Sequence, residues 1–251
     1  ADSNPDALPT LAEPGPVGFT APGSGGNRFA GVINSQGLAT KPVDANLAGA
    51  DAGDLVTFAI VVENTGSSPR GAFDLLIRDA LPPGFEVPAS GLNLRVTDGA
   101  GNVQTFTLVG GGLFDAAGGL RLDDGATGAI GAYDATSGEN VIVITYDLEL
   151  ADSAAAFGAE LVNTAGIAHF AAQEGGIDRT PFTPVEDLSD TASVRTAAPV
   201  VTKAVARSSE AHTGTLAGDD ALADITIGET VTYTITVTVP EGRMTDFRVE
   251  D

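Results

Sequence analysis

The chain has 251 residues, of which 43% are hydrophobic and 6% aromatic, and its formal net charge is −22. Such a charge repels nucleic acid phosphates and anionic membranes, so both are excluded as partners. The chain contains no cysteine, which excludes disulfides and thiol chemistry. No apolar run approaches the roughly 20 residues that span a bilayer. The length allows one large or two small domains.

Residues 1–38 are predicted to be an extended, proline- and glycine-rich arm or linker. Five prolines fall within the first 26 residues. One short apolar run, Phe29 to Ile33, could form a strand. Such a strand could belong to a preceding repeat or be donated to a neighbour, and the sequence leaves both open.

A strand is predicted directly after Gly53-Asp54. Four apolar residues alternate there with other residues, which is the period of a half-buried β-strand: Val56, Phe58, Ile60 and Val62. Asn64-Thr65-Gly66 then supplies turn chemistry.

Further strands are predicted up to residue 196. They are Phe73 to Asp79, a hairpin of Leu92–Val96 and Val103–Val109 around Asp98-Gly99, Val141 to Tyr146, Leu161 to Phe170, and Thr191 to Thr196. The glycine-rich stretch 110–138 is expected to be irregular with short strands. Residues 39–198 therefore predict one antiparallel β-sandwich with under roughly a tenth helix.

The start of this pattern recurs after a short linker at Pro199. Thr202-Lys203 matches Thr40-Lys41, and the alternating stretch Val231 to Val237 matches Val56 to Val62. Asp246 to Asp251 matches Asp74 to Asp79. Residues 199–251 thus predict the first strands of a second, incomplete repeat, and the fold class is all-β with sandwich repeats in tandem.

The only two lysines, Lys41 and Lys203, occupy equivalent positions in the two copies. On a strand, Lys203 would share a face with Val201 and Val205. Asp79 similarly has the parity of Leu75, and Asp251 has the parity of Val249. A buried lysine and a buried carboxyl each cost several kcal/mol unless they meet. The parity predicts that they meet.

Several short motifs follow one another at defined spacing: Thr40-Lys41, Gly53-Asp54-Leu55-Val56-Thr57-Phe58, Asn64-Thr65-Gly66, Asp79-Ala80-Leu81-Pro82-Pro83-Gly84 and Asn163-Thr164-Ala165. In this order they resemble the repeat domains of very large bacterial surface proteins, including isopeptide-forming fimbrial and adhesin domains. The resemblance implies immunoglobulin-like (Ig-like) β-sandwiches strung into stalks. In some members it implies a covalent bond between a first-strand lysine and an Asn or Asp near the end.

The chemistry of such a bond is simple. A desolvated lysine loses its proton and attacks a side-chain carbonyl, while a protonated carboxyl stabilises the developing oxyanion. The candidates are Lys41 as nucleophile, Asn163 as electrophile and Asp79 as acid. Asp190 competes with Asn163, and Glu149 competes with Asp79. In the second repeat, Lys203 and Asp251 are the equivalents. The alternative is that Lys41 and Asp79 form an ordinary ion pair or lie at the solvent-exposed surface.

No cofactor is predicted apart from Ca²⁺. Acidic residues in glycine-rich loops could ligate it together with backbone carbonyls: Asp98, Asp115, Asp123, Asp124 and Asp134. Their spacing lacks the regularity of a calcium-binding loop, so a solvated acidic surface is the competing interpretation.

We therefore expect an extracellular structural protein of a bacterial cell surface, acting as a stalk, filament or adhesin segment, and not an enzyme. Its expected partners are neighbouring repeats or subunits, with host, surface or glycan ligands also open. The alternative is a carbohydrate- or protein-binding sandwich of a secreted protein, although three tyrosines and no tryptophan are few aromatics for a sugar site.

Overall fold

A computed structural model describes residues 15–125, 128–152, 157–210, 225, 227–242 and 247–251. The chain divides into two compact units, one made of residues 1–197 with 241–251 and the other of residues 198–240. Its regular elements are mostly strands, in this order: α1 (Ser35–Thr40), β1 (Leu47–Ala50), β2 (Leu55–Glu63), β3 (Phe73–Ala80), β4 (Phe85–Glu86), β5 (Arg95–Asp98), β6 (Phe106–Val109), β7 (Gly119–Leu122), β8 (Val141–Leu150), β9 (Glu160–Ala171), β10 (Ser189–Thr196), β11 (Val200–Ser208) and β12 (Val231–Thr238). Two single-turn 3₁₀ helices, Thr180–Phe182 and Val185–Asp187, precede β10.

The first unit contains two sheets. One has six strands in the order β1-β10-β9-β3-β7-β6, and the other has the order β2-β8-β4 with β5 also paired to β8. Every ladder is antiparallel except β1–β10, which is parallel. The predicted all-β class is confirmed.

The core between the sheets follows from the alternation along β2, β3 and β8. Val56, Phe58 and Val62 of β2 are buried, and Ile60 packs against the same core. Along β8, one face supplies Ile142, Ile144, Tyr146, Leu148 and Leu150 to this core. The strands predicted for these segments are confirmed.

The predicted hairpin around Asp98-Gly99 is wrong as a paired unit. β5 pairs with β8 in one sheet, whereas β6 pairs with β7 in the other. A single bridge between Thr97 and Val103 connects the two arms. The turn itself forms. The chain then crosses to the opposite sheet, where β6 pairs with β7.

Residues 15–40 differ from the expected free arm. They contain no β-strand, only an isolated antiparallel bridge between Phe19 and Phe29, so the strand considered for Phe29 to Ile33 does not form. Val17, Phe29 and Ile33 are nevertheless buried against the outer face of β8. The segment ends in α1, whose first turn is capped by the Asn34 side chain accepting from the Gly37 amide at 2.8 Å. Apolar side chains separated by polar turns allow this packing without strand pairing.

The second unit contains an antiparallel pair of strands, β11 and β12, with Lys203 opposite Ile235 in the register. The predicted strand Val231 to Val237 is confirmed. Val200, Val201 and Tyr233 are exposed. Among the residues described in either unit, no helix is long and apolar enough to cross a membrane.

Candidate functional site

Three polar side chains meet inside the otherwise apolar core of the first unit. Asp79 ends the inward-facing row of β3, Asn163 comes from the neighbouring strand β9, and Tyr146 comes from β8 in the opposite sheet. All three are at most 5% exposed. The cluster therefore connects the two sheets across the sandwich.

The cluster is joined by direct hydrogen bonds. The Tyr146 hydroxyl donates to Oδ2 of Asp79. The Asn163 Nδ2 donates to the Tyr146 hydroxyl oxygen at 2.8 Å and to Asp79 Oδ2 at 3.2 Å. The Tyr146 ring is fixed by Phe58, stacked at 5.7 Å, and by the edge of Phe114 at 5.4 Å.

Two oxygens of the cluster have no donor. Asp79 Oδ1 and Asn163 Oδ1 are buried and have no hydrogen-bond partner among the described residues. Leaving a buried acceptor unsatisfied costs about 1–3 kcal/mol. Both oxygens could therefore accept a hydrogen bond from a further donor, such as an amine.

Burial dominates the electrostatics of the cluster. It raises the pKa of Asp79 above the ordinary aspartate value of 3.8, although the hydrogen bonds from Tyr146 and Asn163 act in the opposite direction. The pKa of Tyr146 is also raised, first by burial and then by the neighbouring Asp79 carboxylate. A carboxyl with a raised pKa can stay protonated and act as an acid.

Lys41 lies outside this cluster. It follows α1, its backbone N–H donates to the Gly37 carbonyl at 2.8 Å, and its side chain is exposed. That side chain forms no hydrogen bond or ion pair with any other described residue. The inward parity expected for Lys41 requires a strand, and the helix at residues 35–40 removes that alternation.

A small cleft nonetheless connects the segment after Lys41 to the cluster. It has a volume of about 60 Å³ and is lined by Val43, Asp44, Ala45, Asn163, Ala165, Asp190, Thr191 and Ala192. Asn163 and residues 43–45 therefore line the same cleft, although Asn163 is only 4% exposed.

The two competing carboxylates have different surroundings. Asp190 is exposed on β10, and its carboxylate accepts from the Thr191 amide at 2.8 Å, but it shares the cleft with Asn163. Glu149 is half-buried on β8 at a position whose parity is opposite to that of Tyr146. The structure thus brings Asp79 and not Glu149 to Asn163.

The structure also describes Lys203 and Asp251, the residues proposed for the second repeat. The Lys203 ammonium lies 4.5 Å from the centre of the Tyr233 ring, a cation–π arrangement. Asp251 is exposed. Asp246, the start of the matching stretch, lies outside the described residues.

The five aspartates predicted to bind calcium do not come together in one group, and each accepts hydrogen bonds from its own surroundings. Asp98 accepts from the Ala100 and Asn102 amides, and Asp115 from Gly111 and Ala117. Asp134 accepts from Thr136 and Ser137, Asp123 contacts the Thr107 hydroxyl at 3.4 Å, and Asp124 accepts from the Asp74 amide. Hydrogen bonds from these amides lower the pKa values of Asp115 and Asp134.

One of them joins a carboxylate group that the sequence did not indicate. Oxygens of Asp74, Asp124 and Glu174 lie within 4.8 Å of one another. The neighbouring Asp124, through a hydrogen bond and its charge, raises the pKa of Glu174. These residues come from three distant parts of the chain, so no local spacing could have revealed the group.

A buried ion pair on the outer face of β8 was also missed. The Arg28 guanidinium binds the Asp147 carboxylate, with Nη2–Oδ1 at 2.9 Å and Nη1–Oδ2 at 3.2 Å. The pKa of Asp147 is lowered to about 2 because hydrogen bonds from Arg28, Thr57 and Asn93 outweigh the opposing effect of burial. The one available signal was an aspartate inside an otherwise apolar strand.

A second, larger cleft of about 590 Å³ opens between α1 and β2. Its lining residues are Ser35, Leu38, Ala39, Pro42, Val43, Val61, Glu63, Thr65 and Tyr133. Tyr133 is 52% exposed and is the aromatic side chain at this cleft.

No protein-family model and no curated protein sequence matches the chain. Among solved structures, it is similar to the pilus backbone RrgB of Streptococcus pneumoniae, with 21% identity, a TM-score of 0.35, and coverage of 50% of this chain and 44% of that one. The T6 backbone pilin of serotype M6 Streptococcus pyogenes shares 13% identity at a TM-score of 0.35, over 77% and 43% of the two chains. A family 123 glycoside hydrolase from Clostridium perfringens shares 12% sequence identity at a TM-score of 0.27, with coverage of 69% of this chain and 27% of that one. The chain spans less than half the length of each, and at these TM-scores the likenesses carry no argument about function.

Proposed function

We propose that this chain is part of an extracellular structural protein of a bacterial surface, in which β-sandwich repeats form a stalk, filament or adhesin segment. The repeated strand unit and the all-β sandwich support this proposal. The single observation that carries it furthest is the buried Asp79–Tyr146–Asn163 cluster, because it connects the two sheets where a load along the chain would otherwise separate them.

The finer proposal is that this cluster closes an isopeptide bond with Lys41. The uncharged Lys41 amine attacks Cγ of Asn163, and protonated Asp79 stabilises the oxyanion. The bond from Cγ to Nδ2 then breaks, the Asn163 nitrogen leaves as ammonia, and the proton returns to Asp79. The products are one amide and one ammonia, so no cofactor or oxidant is needed.

The geometry supports the acid and the electrophile in this scheme, because Asp79 and Asn163 are in contact and each has an oxygen without a donor. Lys41 would have to leave the end of α1 and enter the small cleft beside Asn163. Residues 41–46, which have no regular structure, are the part of the chain that would move.

Intact mass tests the clamp. The wild-type protein should be lighter than its calculated mass by one ammonia for a Lys41–Asn163 bond, or by one water for a Lys41–Asp190 bond. Lys41→Arg should restore the full mass, whereas the matched variant Lys203→Arg, which changes the only other lysine, should keep the deficit. A full wild-type mass would contradict the clamp and leave the hydrogen-bonded cluster as a purely noncovalent connection.

The alternative function is a carbohydrate- or protein-binding module. Its supporting observation is exposed Tyr133 beside Glu63 in the larger cleft, because an amphipathic aromatic ring suits a ligand surface. A glycan array and a hydrolase screen separate the two readings. A specific glycan signal that Tyr133→Ala abolishes would favour the binding module, and turnover in the screen would overturn the non-enzymatic role.

A further inference from the structure

The strand β8 is buried on both faces, which is unusual for a strand of an antiparallel sheet. Its second face is covered by residues 15–40, here named the N-terminal strap. The strap and this face share a separate apolar cluster of Val17, Phe29, Ile33, Val141 and Val143, with Phe19, Leu38 and Val61 packed around it. We name the outer face of β2 and β8 the acceptor face, because the strap binds to it.

The acceptor has a polar centre at Asp147. Its Oδ1 accepts from Arg28 at 2.9 Å and from the Thr57 hydroxyl at 2.6 Å. Its Oδ2 accepts from Arg28 at 3.2 Å, from Asn93 Nδ2 at 2.9 Å and from the Gly23 amide at 2.9 Å. Arg28 and Gly23 belong to the strap, whereas Thr57 and Asn93 belong to the sandwich.

This centre selects an arginine-bearing segment. The planar guanidinium matches both carboxylate oxygens at once, which a lysine ammonium cannot do. Without the strap, Asp147 and the apolar residues around it would face solvent. The acceptor face therefore recognises the strap by its charge and shape, whether the strap belongs to the same chain or to another.

The linker between the strap and β1, residues 41–46, is fixed to the sandwich at its end, where the Asn46 side chain accepts from the Ser193 amide at 2.8 Å and from the Ser193 hydroxyl at 3.0 Å. The side chains of Lys41 and Asp44 form no hydrogen bond or ion pair with other described residues, and the larger cleft separates the end of α1 from β2. The same contacts can therefore form when the strap comes from another molecule. Only residues 41–45 of the linker would take a different path, because Asn46 is bonded to Ser193 of the sandwich.

We propose that the acceptor face of one copy binds the N-terminal strap of a second copy. Docking within one chain is favoured in dilute solution by its high effective concentration, whereas copies held close together exchange straps. Because each copy docks on the next through two different surfaces, the contact is head-to-tail, and it extends into a filament where the copies do not close into a ring. The net charge of −22 opposes this contact, so salt that screens it favours exchange. Because Lys41 directly follows the strap, a Lys41–Asn163 bond within one chain would oppose exchange, so both copies in the test below also carry Lys41→Arg.

Cysteine trapping in the full chain tests the exchange, because these 251 residues contain no cysteine. The Gln36 amide of the strap bonds to the Ala135 carbonyl of the sandwich at 3.0 Å, so these positions are close enough for a disulfide. One copy carries Gln36→Cys and the other Ala135→Cys. The two are unfolded together, refolded at high concentration in 1 M salt, oxidised and separated on a non-reducing gel. We expect a disulfide-linked heterodimer.

The matched control replaces the second copy by one with Thr107→Cys, an exposed position on β6. It should give no heterodimer above background. The Gln36→Cys, Ala135→Cys double variant should close within one chain at low concentration. Equal dimer yields for the test and control pairs, or failure of the double variant to close, would overturn the proposal. Arg28→Lys in the strap copy should lower the heterodimer yield severalfold, and an unchanged yield would overturn the role of Asp147 as the centre of the acceptor.

Discussion

Asp79 and Asp147 are both nearly inaccessible to solvent, yet their pKa values move in opposite directions. Asp79 sits among an uncharged tyrosine and amide, so burial prevails and its pKa rises. Asp147 faces the Arg28 guanidinium and further donors, so its pKa falls to about 2. The difference suits Asp79 to proton transfer and Asp147 to holding a charge.

The raised pKa of Asp79 predicts a cost of ionisation in the folded state. The stability that Asp79 contributes is fully present below its unfolded-state pKa of 3.8. It is lost as the pH rises through the higher pKa of the folded state. Asp79→Asn should remove this loss. The check is the difference between wild-type and variant unfolding free energies across pH 3 to 8, and a difference that does not change with pH would contradict it.

The Arg28–Asp147 pair predicts the reverse. Stability from Asp147 is present above pH 3.8 and is lost as pH falls toward about 2, an effect on the order of 2 kcal/mol. Arg28→Met should cost about 3–5 kcal/mol at neutral pH because it leaves a buried carboxylate unpaired. Denaturant unfolding measures this. The exposed Arg248→Met is the control and should change stability by less than about 0.5 kcal/mol.

The carboxylates of Asp74, Asp124 and Glu174 give the calcium expectation a location. If they bind Ca²⁺, the ion should raise the melting temperature, because a ligand bound to the folded state stabilises it by mass action. Asp124→Asn should abolish the rise, and the matched variant Asp123→Asn should retain it. A melting temperature that does not respond to Ca²⁺ or to a chelator would leave these groups as acidic surface.

Among the elements, β8 and β12 differ in both sequence pattern and burial: β8 begins with a continuous apolar run, Val141 to Ile144, whereas the apolar residues of β12 alternate with threonines. β8 has partners on both edges and is covered on both faces, whereas β12 pairs with β11 and leaves Tyr233 and Ile235 partly exposed. Pairing and coverage, not hydrophobicity alone, decide what each strand contributes to stability.

This contrast predicts different costs for the same substitution. Ile144→Ala removes a fully buried side chain of the core and should cost about 2–5 kcal/mol. Ile235→Ala, at a position 37% exposed, should cost less than about 1 kcal/mol. Equal losses on denaturant unfolding would contradict the burial assigned to β8.

Strands with strict alternation were predictable because one face of each meets the core, as along Val56 to Val62. The pairing of β5 and β6 with different sheets was not, because a turn such as Asp98-Gly99 fixes a reversal and not the identity of the partner strand. The docking of the strap was hidden because Phe29 and Ile33 lie in a short apolar run that follows a proline- and glycine-rich stretch and has no periodic pattern. Asp79 could be placed inward by parity, whereas Lys41 could not, because a helix precedes it.

At the scale of the whole molecule, the proposed crosslink would join residues near the two ends of the sandwich sequence. Lys41 and Asn163 are on the order of 120 residues apart, so a bond between them would link segments near the two ends of the domain. Tension along a chain of such repeats would then pass through the crosslink and bypass most of the core.

Such a crosslink should be visible in stability. By the chain-entropy estimate for a closed loop of this length, it removes on the order of 4–5 kcal/mol of unfolded-state freedom. Lys41→Ala should therefore melt well below the wild-type protein, whereas Lys203→Ala should leave the melting of the first unit unchanged. Similar melting of the Lys41→Ala and wild-type proteins would argue against a closed loop.

Peptide mapping of the protease-digested protein tests the clamp most directly, because it identifies both ends of the bond. The account predicts a branched peptide in which the Lys41 side chain is joined to Asn163, lighter by one ammonia than its two parts, and absent from the Lys41→Arg variant. Recovery of separate, unmodified peptides containing Lys41 and Asn163 from the wild-type protein would contradict it.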